Sequence, residues 1–251
     1  MNDGPRNSAE RRLQIRAEQI RDAFGLLLAL VLVTYVLTSL LGDRGWEAIL
    51  ISISTSATSI VALTSSHANR RVVNAAIWIS AATVLLAAAA AISGAQLWLN
   101  ISSAIQVLLL TVAMLAVLRR VIANAGADSR TILGAISFYT VLGLLFTFLY
   151  VFVARVQSGP FFEGHPNAGG SDFIFFSYTT LTTTGFGDLV PAGQPGRMLT
   201  GLEMLTGQIF LVTLVAGLVS LWRPGDAMRR RREEKGESRP GETSPGGPSA
   251  S

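Results

Sequence analysis

The residues best suited to chemistry are seven in a row, from Thr182 to Asp188, which read T-T-T-G-F-G-D. Gly185 and Gly187 alternate with residues that carry side chains, and glycine adopts positive φ at little cost. Such alternation lets several consecutive backbone carbonyls point at one axis. Stacked rings of carbonyl oxygens can replace the water around a dehydrated potassium ion. Thr183 would add a hydroxyl oxygen at the inner mouth, and Asp188 would support the segment and attract cations.

Other chemistries find little support in the sequence. The chain has no cysteine, which excludes thiol catalysis, disulfides and cysteine-based metal sites. Its two histidines, His67 and His165, are too few for a histidine-built metal centre. No Gly-Lys-Ser/Thr follows the glycine-rich segment, which argues against phosphate binding. With no nucleophile–base set either, we expect no enzyme activity and no cofactor other than a permeant ion.

The composition is that of an integral membrane protein. Of the 251 residues, 50% are hydrophobic and 14% are charged, and the mean hydropathy is +0.46. A soluble domain carries about 25% charged residues. Apolar runs long enough to span a bilayer, which needs roughly 20 helical residues, predict an all-α protein with six transmembrane helices. The runs are Phe24–Leu41, Trp46–Leu63, Val72–Ile92, Leu97–Leu118, Ile132–Val153 and Met198–Trp222.

The basic residues predict the orientation in the cell inner (plasma) membrane. With the N-terminus in the cytoplasm, all but Arg44, Arg155 and Arg197 of the 20 Lys and Arg lie inside. The opposite orientation would invert that ratio, and lysine and arginine favour cytoplasmic loops. We therefore expect a multi-pass protein with both termini in the cytoplasm.

Between the fifth and sixth spans lies an apolar, aromatic stretch that is too short to cross a bilayer. It runs from Phe173 to about Thr182, and Ser171 or Asp172 could cap it as a helix. A half-helix followed by irregular backbone is tolerated inside a membrane only where it is buried in protein or lines water. A simple Gly-Phe-Gly turn between two helices is the alternative.

The short helix, T-T-T-G-F-G-D and the two flanking spans together resemble the potassium-channel pore family, in particular bacterial six-span channels with one pore loop. The resemblance covers about residues 131–222. It implies a re-entrant pore helix and a homotetramer, because one chain carries a quarter of a filter. It also implies potassium binding by the filter residues, with support from Thr182 and Asp188. The filter residues are Thr183, Thr184, Gly185, Phe186 and Gly187.

Two filter positions depart from the common pattern of the family. Thr184 stands where many members have Val, and Phe186 stands where many have Tyr. Neither change alters the backbone carbonyls, and Phe also occurs in filters of two-pore-domain potassium channels. The resemblance therefore implies retained selectivity, with one bracing hydrogen bond removed.

Four segments follow from these patterns. Residues 1–23 form a basic amphipathic N-terminus, or alternatively a solvated cap on the first span. Residues 24–120 form a four-helix membrane domain, residues 131–222 the pore domain, and residues 223–251 a disordered cytoplasmic tail. The tail carries four arginines that anionic lipid would attract, namely Arg229, Arg230, Arg231 and Arg232.

The fourth span predicts that the protein is not voltage-gated. Leu97–Leu118 contains no charged residue, whereas voltage sensors carry arginines within the span. Arg119 and Arg120 lie at its cytoplasmic end, where they are better explained as topology signals.

Three features of the last span invite functional interpretation. Glu203 lies within the span and could brace the pore helix through Tyr178 and Thr184, or could be a protonated residue packed between helices. Gly207 could be a gating hinge, or a small residue that allows close packing. A stripe spaced by four residues is predicted to face the cavity, and it consists of Leu211, Val215 and Val219.

Three functional hypotheses remain open on the sequence alone. The first is a tetrameric potassium-selective channel that conducts passively. The second is a poorly selective cation channel. The third is a non-conducting membrane sensor or partner-binding subunit that keeps the pore fold. No nucleic-acid partner is expected.

Overall fold

The computed structural model describes residues 24–41, 46–66, 68–123 and 129–221. The N-terminal segment 1–23 and the tail with its four arginines lie outside the described residues, so the predictions made for them stay predictions. The described part of the chain is helical apart from turns, loops and two isolated β-bridges. The helices are α1 (Phe24–Leu40), α2 (Trp46–Ser65), α3 (Arg70–Ser93), α4 (Gln96–Ala123), α5 (Ser129–Val156), α6 (Gly170–Leu181) and α7 (Gln194–Leu221).

Five helices, α2, α3, α4, α5 and α7, are long and apolar enough to cross a membrane. The helical membrane protein expected from the composition is thus confirmed. The described part of α1 is apolar but shorter than the other five, so the first of the six predicted spans stays a prediction.

Local sequence explains how α3 begins and ends. The Asn69 side chain accepts a hydrogen bond from the Arg71 amide at 3.1 Å, as N-cap residues do. Gly94 follows the helix with φ of 66°, a left-handed conformation that glycine adopts without strain. Its amide donates to Ala90 O at 2.9 Å, and the chain reverses into α4 within two residues.

Hydroxyl-bearing side chains connect the first helices of the bundle. Thr34 Oγ1 of α1 lies 2.6 Å from Ser54 Oγ and 3.1 Å from Thr58 Oγ1 of α2. Gln106 Nε2 of α4 donates to Ser52 Oγ at 2.7 Å. Small polar residues allow close approach and supply interhelical hydrogen bonds in membrane proteins, where lipid is as apolar as the helices themselves.

Helix α5 connects the last two helices to the rest of the bundle. It packs against α4, α6 and α7. At the carboxyl end of α5, Arg155 donates to Ser103 Oγ and to Leu99 O of α4. Helices α6 and α7 are therefore joined to the preceding helices through α5.

Candidate functional site

The short helix α6 begins earlier than the sequence suggested. Its N-cap is Gly169, so the prediction that Ser171 or Asp172 caps the helix is wrong. Asp172 instead lies in the first turn and accepts a hydrogen bond from the Gly169 amide at 2.8 Å. A carboxylate in this position also complements the positive end of the helix dipole.

Two tyrosines fasten α6 to α5 in opposite directions. The hydroxyl of Tyr178 on α6 donates to Thr140 O of α5 at 2.7 Å. The hydroxyl of Tyr139 on α5 donates to Leu181 O, at the last residue of α6, also at 2.7 Å. The carboxyl end of α6 is therefore held to α5 both through the Tyr178 side chain and through the Leu181 backbone carbonyl.

An aromatic cluster packs against the amino-terminal half of α6. Neighbouring ring centroids lie 4.8 to 6.5 Å apart, mostly in edge or tilted arrangements. Such pairs stabilise a core beyond the area they bury. The cluster consists of Tyr150, Phe161, Phe162, Phe173 and Phe176.

After α6, the backbone amides of the next residues donate hydrogen bonds to carbonyls in the last turn of α6. Thr183 N donates to Thr180 O at 3.0 Å. Thr184 N and Gly185 N both donate to Thr179 O, at 2.8 and 3.1 Å. Among the hydrogen bonds between described residues, none ends on a carbonyl oxygen of residues 182–187. Residues 182–187 thus form an irregular strand, outside any sheet, that is held by the amides of Thr183, Thr184 and Gly185. Its carbonyls accept no hydrogen bond from the described residues, as a backbone cation site requires.

The backbone of this strand alternates in handedness. Thr183, Gly185 and Gly187 have φ of 58°, 48° and 80°, whereas Thr184 and Phe186 between them are not in the positive-φ region. The two glycines take the role the sequence predicted. Thr183 was not expected there, because a β-branched residue rarely adopts positive φ and such strain costs about 1–3 kcal/mol. Strained backbone of this kind clusters at functional sites.

Side chains near the strand also form contacts. Thr182 Oγ1 donates to Tyr178 O at 2.7 Å and lies 2.9 Å from Thr184 Oγ1. The ring of Phe186 stacks on Phe175 at 5.7 Å, yet 68% of Phe186 is exposed in the single chain. The side chain of Asp188 is exposed, and no hydrogen bond to it is present in the described part of the chain.

The carboxyl end of the strand leads into a loop that is hydrogen-bonded to the α5–α6 loop. Glu163 N donates to Val190 O at 2.8 Å, and Ala192 N donates to Phe161 O at the same distance. Arg197 forms an ion pair with Glu163 at 2.6 Å. These contacts fix the position of the loop that connects the strand to α7.

Glu203 lies behind α6, fully buried, but its partners differ from those expected. Its Oε2 lies 2.5 Å from Tyr150 OH, and its Oε1 lies 2.5 Å from Ser177 Oγ. The expected partners are engaged elsewhere, because Tyr178 donates to Thr140 O and Thr184 contacts Thr182. The Tyr150 contact was missed because it depends on how α5 packs against α7, and the Ser177 contact because it depends on which face of α6 turns toward α7.

Gly207 packs directly against the end of α6. A Cβ atom added there would lie 2.7 Å from Leu181 Cδ1 and 2.9 Å from Leu181 O. Helix α7 continues without a break through this position. Close packing thus accounts for the glycine in this conformation, and its role as a hinge stays a prediction.

One face of α7 is apolar and exposed. Its residues are spaced by four and three, the pattern of a helix–helix seam, and include Met198, Leu202, Leu205, Ile209 and Val212. Leu211 and Val215 of the predicted cavity stripe are exposed as well. The side chain of Val219 lies outside the described residues.

These features define a class of protein. Two apolar helices, α5 and α7, pack against a short helix, which is followed by backbone whose carbonyls accept no hydrogen bond from the described residues; this arrangement is typical of an ion-channel pore domain. The family model described as "Ion channel" matches residues 136–223, from α5 through α7, so this segment is similar to that family of pore domains. No curated protein and no solved structure matches the chain. In the described residues no group of three or more His, Cys, Asp or Glu could hold a metal ion.

Proposed function

We propose that four copies of this chain form a potassium-selective channel that conducts passively. The observation that carries this proposal is the alternation of positive φ at Thr183, Gly185 and Gly187, together with carbonyls that accept no hydrogen bond from the described part of the chain. In this proposal potassium binds to backbone carbonyls of residues 183–187. Thr182 and Asp188 support the strand, and no cofactor takes part.

The need for four copies follows from exposure and from geometry. Residues 182–188 are exposed in the single chain, as is the apolar seam of α7. A ring of carbonyls around an axis needs several equivalent strands, and closed symmetric assembly would cover both surfaces. Each of the four filter strands would then be supported from behind by Tyr139, Tyr178 and Glu203 of its own chain.

Gating by voltage does not fit the fourth helix. Arg119 and Arg120 lie near the cytoplasmic end of α4, and the Arg120 guanidinium lies 5.6 Å from the ring centre of Phe24 in α1. A charge that must cross the field would instead lie within the span. We assign the channel to the plasma membrane with both termini in the cytoplasm, and the tail arginines to anionic lipid.

Flux through liposomes tests this function. The full chain is reconstituted, and the flux of potassium, sodium and a large organic cation is measured. Gly185→Ala should abolish selective potassium flux, because φ of 48° strains alanine although nothing lies within 4 Å of its Cβ. Gly201→Ala in α7 is the matched control, since its Cβ also has open space and its φ is not positive.

Each outcome of this assay is decisive. Potassium flux without sodium flux in the parent and in Gly201→Ala supports the proposal. Equal sodium and potassium flux in the parent would instead establish a poorly selective cation channel. Insertion without flux of any ion would establish a non-conducting sensor or partner subunit.

A further inference from the structure

The buried carboxyl of Glu203 joins three helices through hydroxyl groups. Ser177 lies on α6 and Tyr150 on α5, and each hydroxyl oxygen is 2.5 Å from one oxygen of Glu203 on α7. Ser177 Oγ has a second close neighbour, the carbonyl oxygen of Gly143 on α5, at 2.8 Å. Glu203, Ser177 and Tyr150 are all fully buried.

Counting hydrogen atoms shows that this arrangement needs one more than the hydroxyls supply. Three oxygen–oxygen contacts lie at hydrogen-bond distance, and each needs a hydrogen between its two oxygens. The hydroxyls of Ser177 and Tyr150 supply one hydrogen each, and the Gly143 carbonyl supplies none. If Glu203 were ionised, Ser177 could serve either Glu203 or Gly143, but not both.

We propose that Glu203 is protonated and donates its hydrogen to Ser177 Oγ. Ser177 then donates to Gly143 O, and Tyr150 donates to the other oxygen of Glu203. Every one of the three contacts is satisfied in this way. The result is a directional hydrogen-bond relay from α7 through α6 to α5.

The surroundings of Glu203 agree with a neutral group. The other titratable side chains that face it are tyrosines, Tyr139 and Tyr150 on α5 and Tyr178 on α6. Within the described residues no Lys, Arg or His forms an ion pair with Glu203. A buried ionised carboxylate without a cation is strongly disfavoured.

This relay makes Glu203 a positioning residue for the pore helix, a role that rests on the proposed function. Ser177 is fully buried on α6, two residues before Thr179, whose carbonyl accepts the Thr184 and Gly185 amides. The relay thus anchors α6 to α5 and α7 within one turn of the residue whose carbonyl holds the strand. The protonation itself does not depend on ion conduction.

Infrared difference spectroscopy on the reconstituted full chain tests the proposal. The parent should show the carbonyl stretch of a protonated carboxyl, which shifts slightly in deuterated buffer. Glu203→Gln should lose this band while melting close to the parent, because its amide can donate to Ser177 and accept from Tyr150. Glu163→Gln is the control, because Glu163 is exposed and paired with Arg197, and its loss should remove carboxylate bands only.

A second variant covers the case in which Glu203→Gln does not fold. Ser177→Ala removes the group that accepts the hydrogen, so the protonated carbonyl band should remain but move to higher frequency. A parent spectrum in which Glu203→Gln removes carboxylate bands alone would overturn the proposal. So would a protonated band that is unchanged in Ser177→Ala. Neither infrared measurement uses ion flux, so the proposed function and the protonation of Glu203 can fail independently of each other.

Discussion

The ring of Tyr178 packs directly against the backbone of Gly143. A Cβ atom at position 143 would come within 2.8 Å of Tyr178 Cζ and 2.9 Å of Cε1. The absence of a side chain at Gly143 therefore allows the pore helix to approach α5 closely enough for the Tyr178 hydroxyl to reach Thr140 O at 2.7 Å.

Gly143→Ala should accordingly destabilise the protein. Because the added methyl meets the body of an aromatic ring rather than a flexible chain end, the ring must shift and its hydrogen bond to Thr140 must lengthen. Overpacking of this kind costs about 1–3 kcal/mol. Thermal melting of the purified protein in detergent measures the effect. Gly201→Ala, whose Cβ meets nothing within 4 Å, should melt close to the parent, and equal melting of both variants would contradict the contact.

Tyr139→Phe should weaken the carboxyl end of the pore helix. It removes the hydrogen bond to Leu181 O, and such a bond contributes about 0.5–1.5 kcal/mol. We expect a lower melting temperature and faster loss of potassium current during sustained conduction. Tyr35→Phe removes the same atom from a residue whose hydroxyl has no hydrogen bond among the described residues, and should leave both properties unchanged. Current decay as slow in Tyr139→Phe as in the parent would show that this bond does not hold the filter.

Glu203→Ala should disturb the pore more than Glu203→Gln. The alanine leaves the hydroxyls of Tyr150 and Ser177 short of a partner, at about 1–3 kcal/mol for each unsatisfied group. Glutamine keeps the shape and both hydrogen bonds. The rate of potassium current decay should therefore rise, and the melting temperature fall, from the parent to Glu203→Gln to Glu203→Ala, with Glu203→Gln close to the parent. Identical behaviour of all three proteins would mean that Glu203 is only a packing residue.

Open probability should depend weakly on voltage. Residues 97–118 of α4 are uncharged, whereas sensors move about three to four charges per subunit through the field. Currents recorded in planar bilayers at stepped voltages, without blocking ions, measure the slope. A steep activation curve would contradict the assignment of Arg119 and Arg120 to topology.

Helix positions were predictable because they follow from local composition. The fifth apolar run, Ile132–Val153, lies within α5, which runs Ser129–Val156. The three extra residues at each end include an arginine, Arg130 or Arg155, and hydropathy alone does not extend a span across a charged residue. The start of α6 was misplaced for a related reason, because Gly169 carries no side-chain cap signal.

The contacts that build the site were predictable only in part. The residue type of Gly185 and Gly187 predicts positive φ, whereas that of Thr183 predicts negative φ, yet Thr183 has φ of 58°. The Tyr150–Glu203 contact joins residues 53 positions apart. Such a pairing depends on how α5 and α7 pack, which hydrophobic periodicity does not determine.

The most direct test of the central claim is the reversal potential of the parent channel with potassium on one side of a bilayer and sodium on the other. The proposed filter offers dehydrated potassium a ring of carbonyls and offers sodium a poorer fit. We therefore predict a large reversal potential, with the sign expected when potassium carries the current out of the potassium-containing side. A reversal potential near zero, with measurable current in both directions, would contradict it.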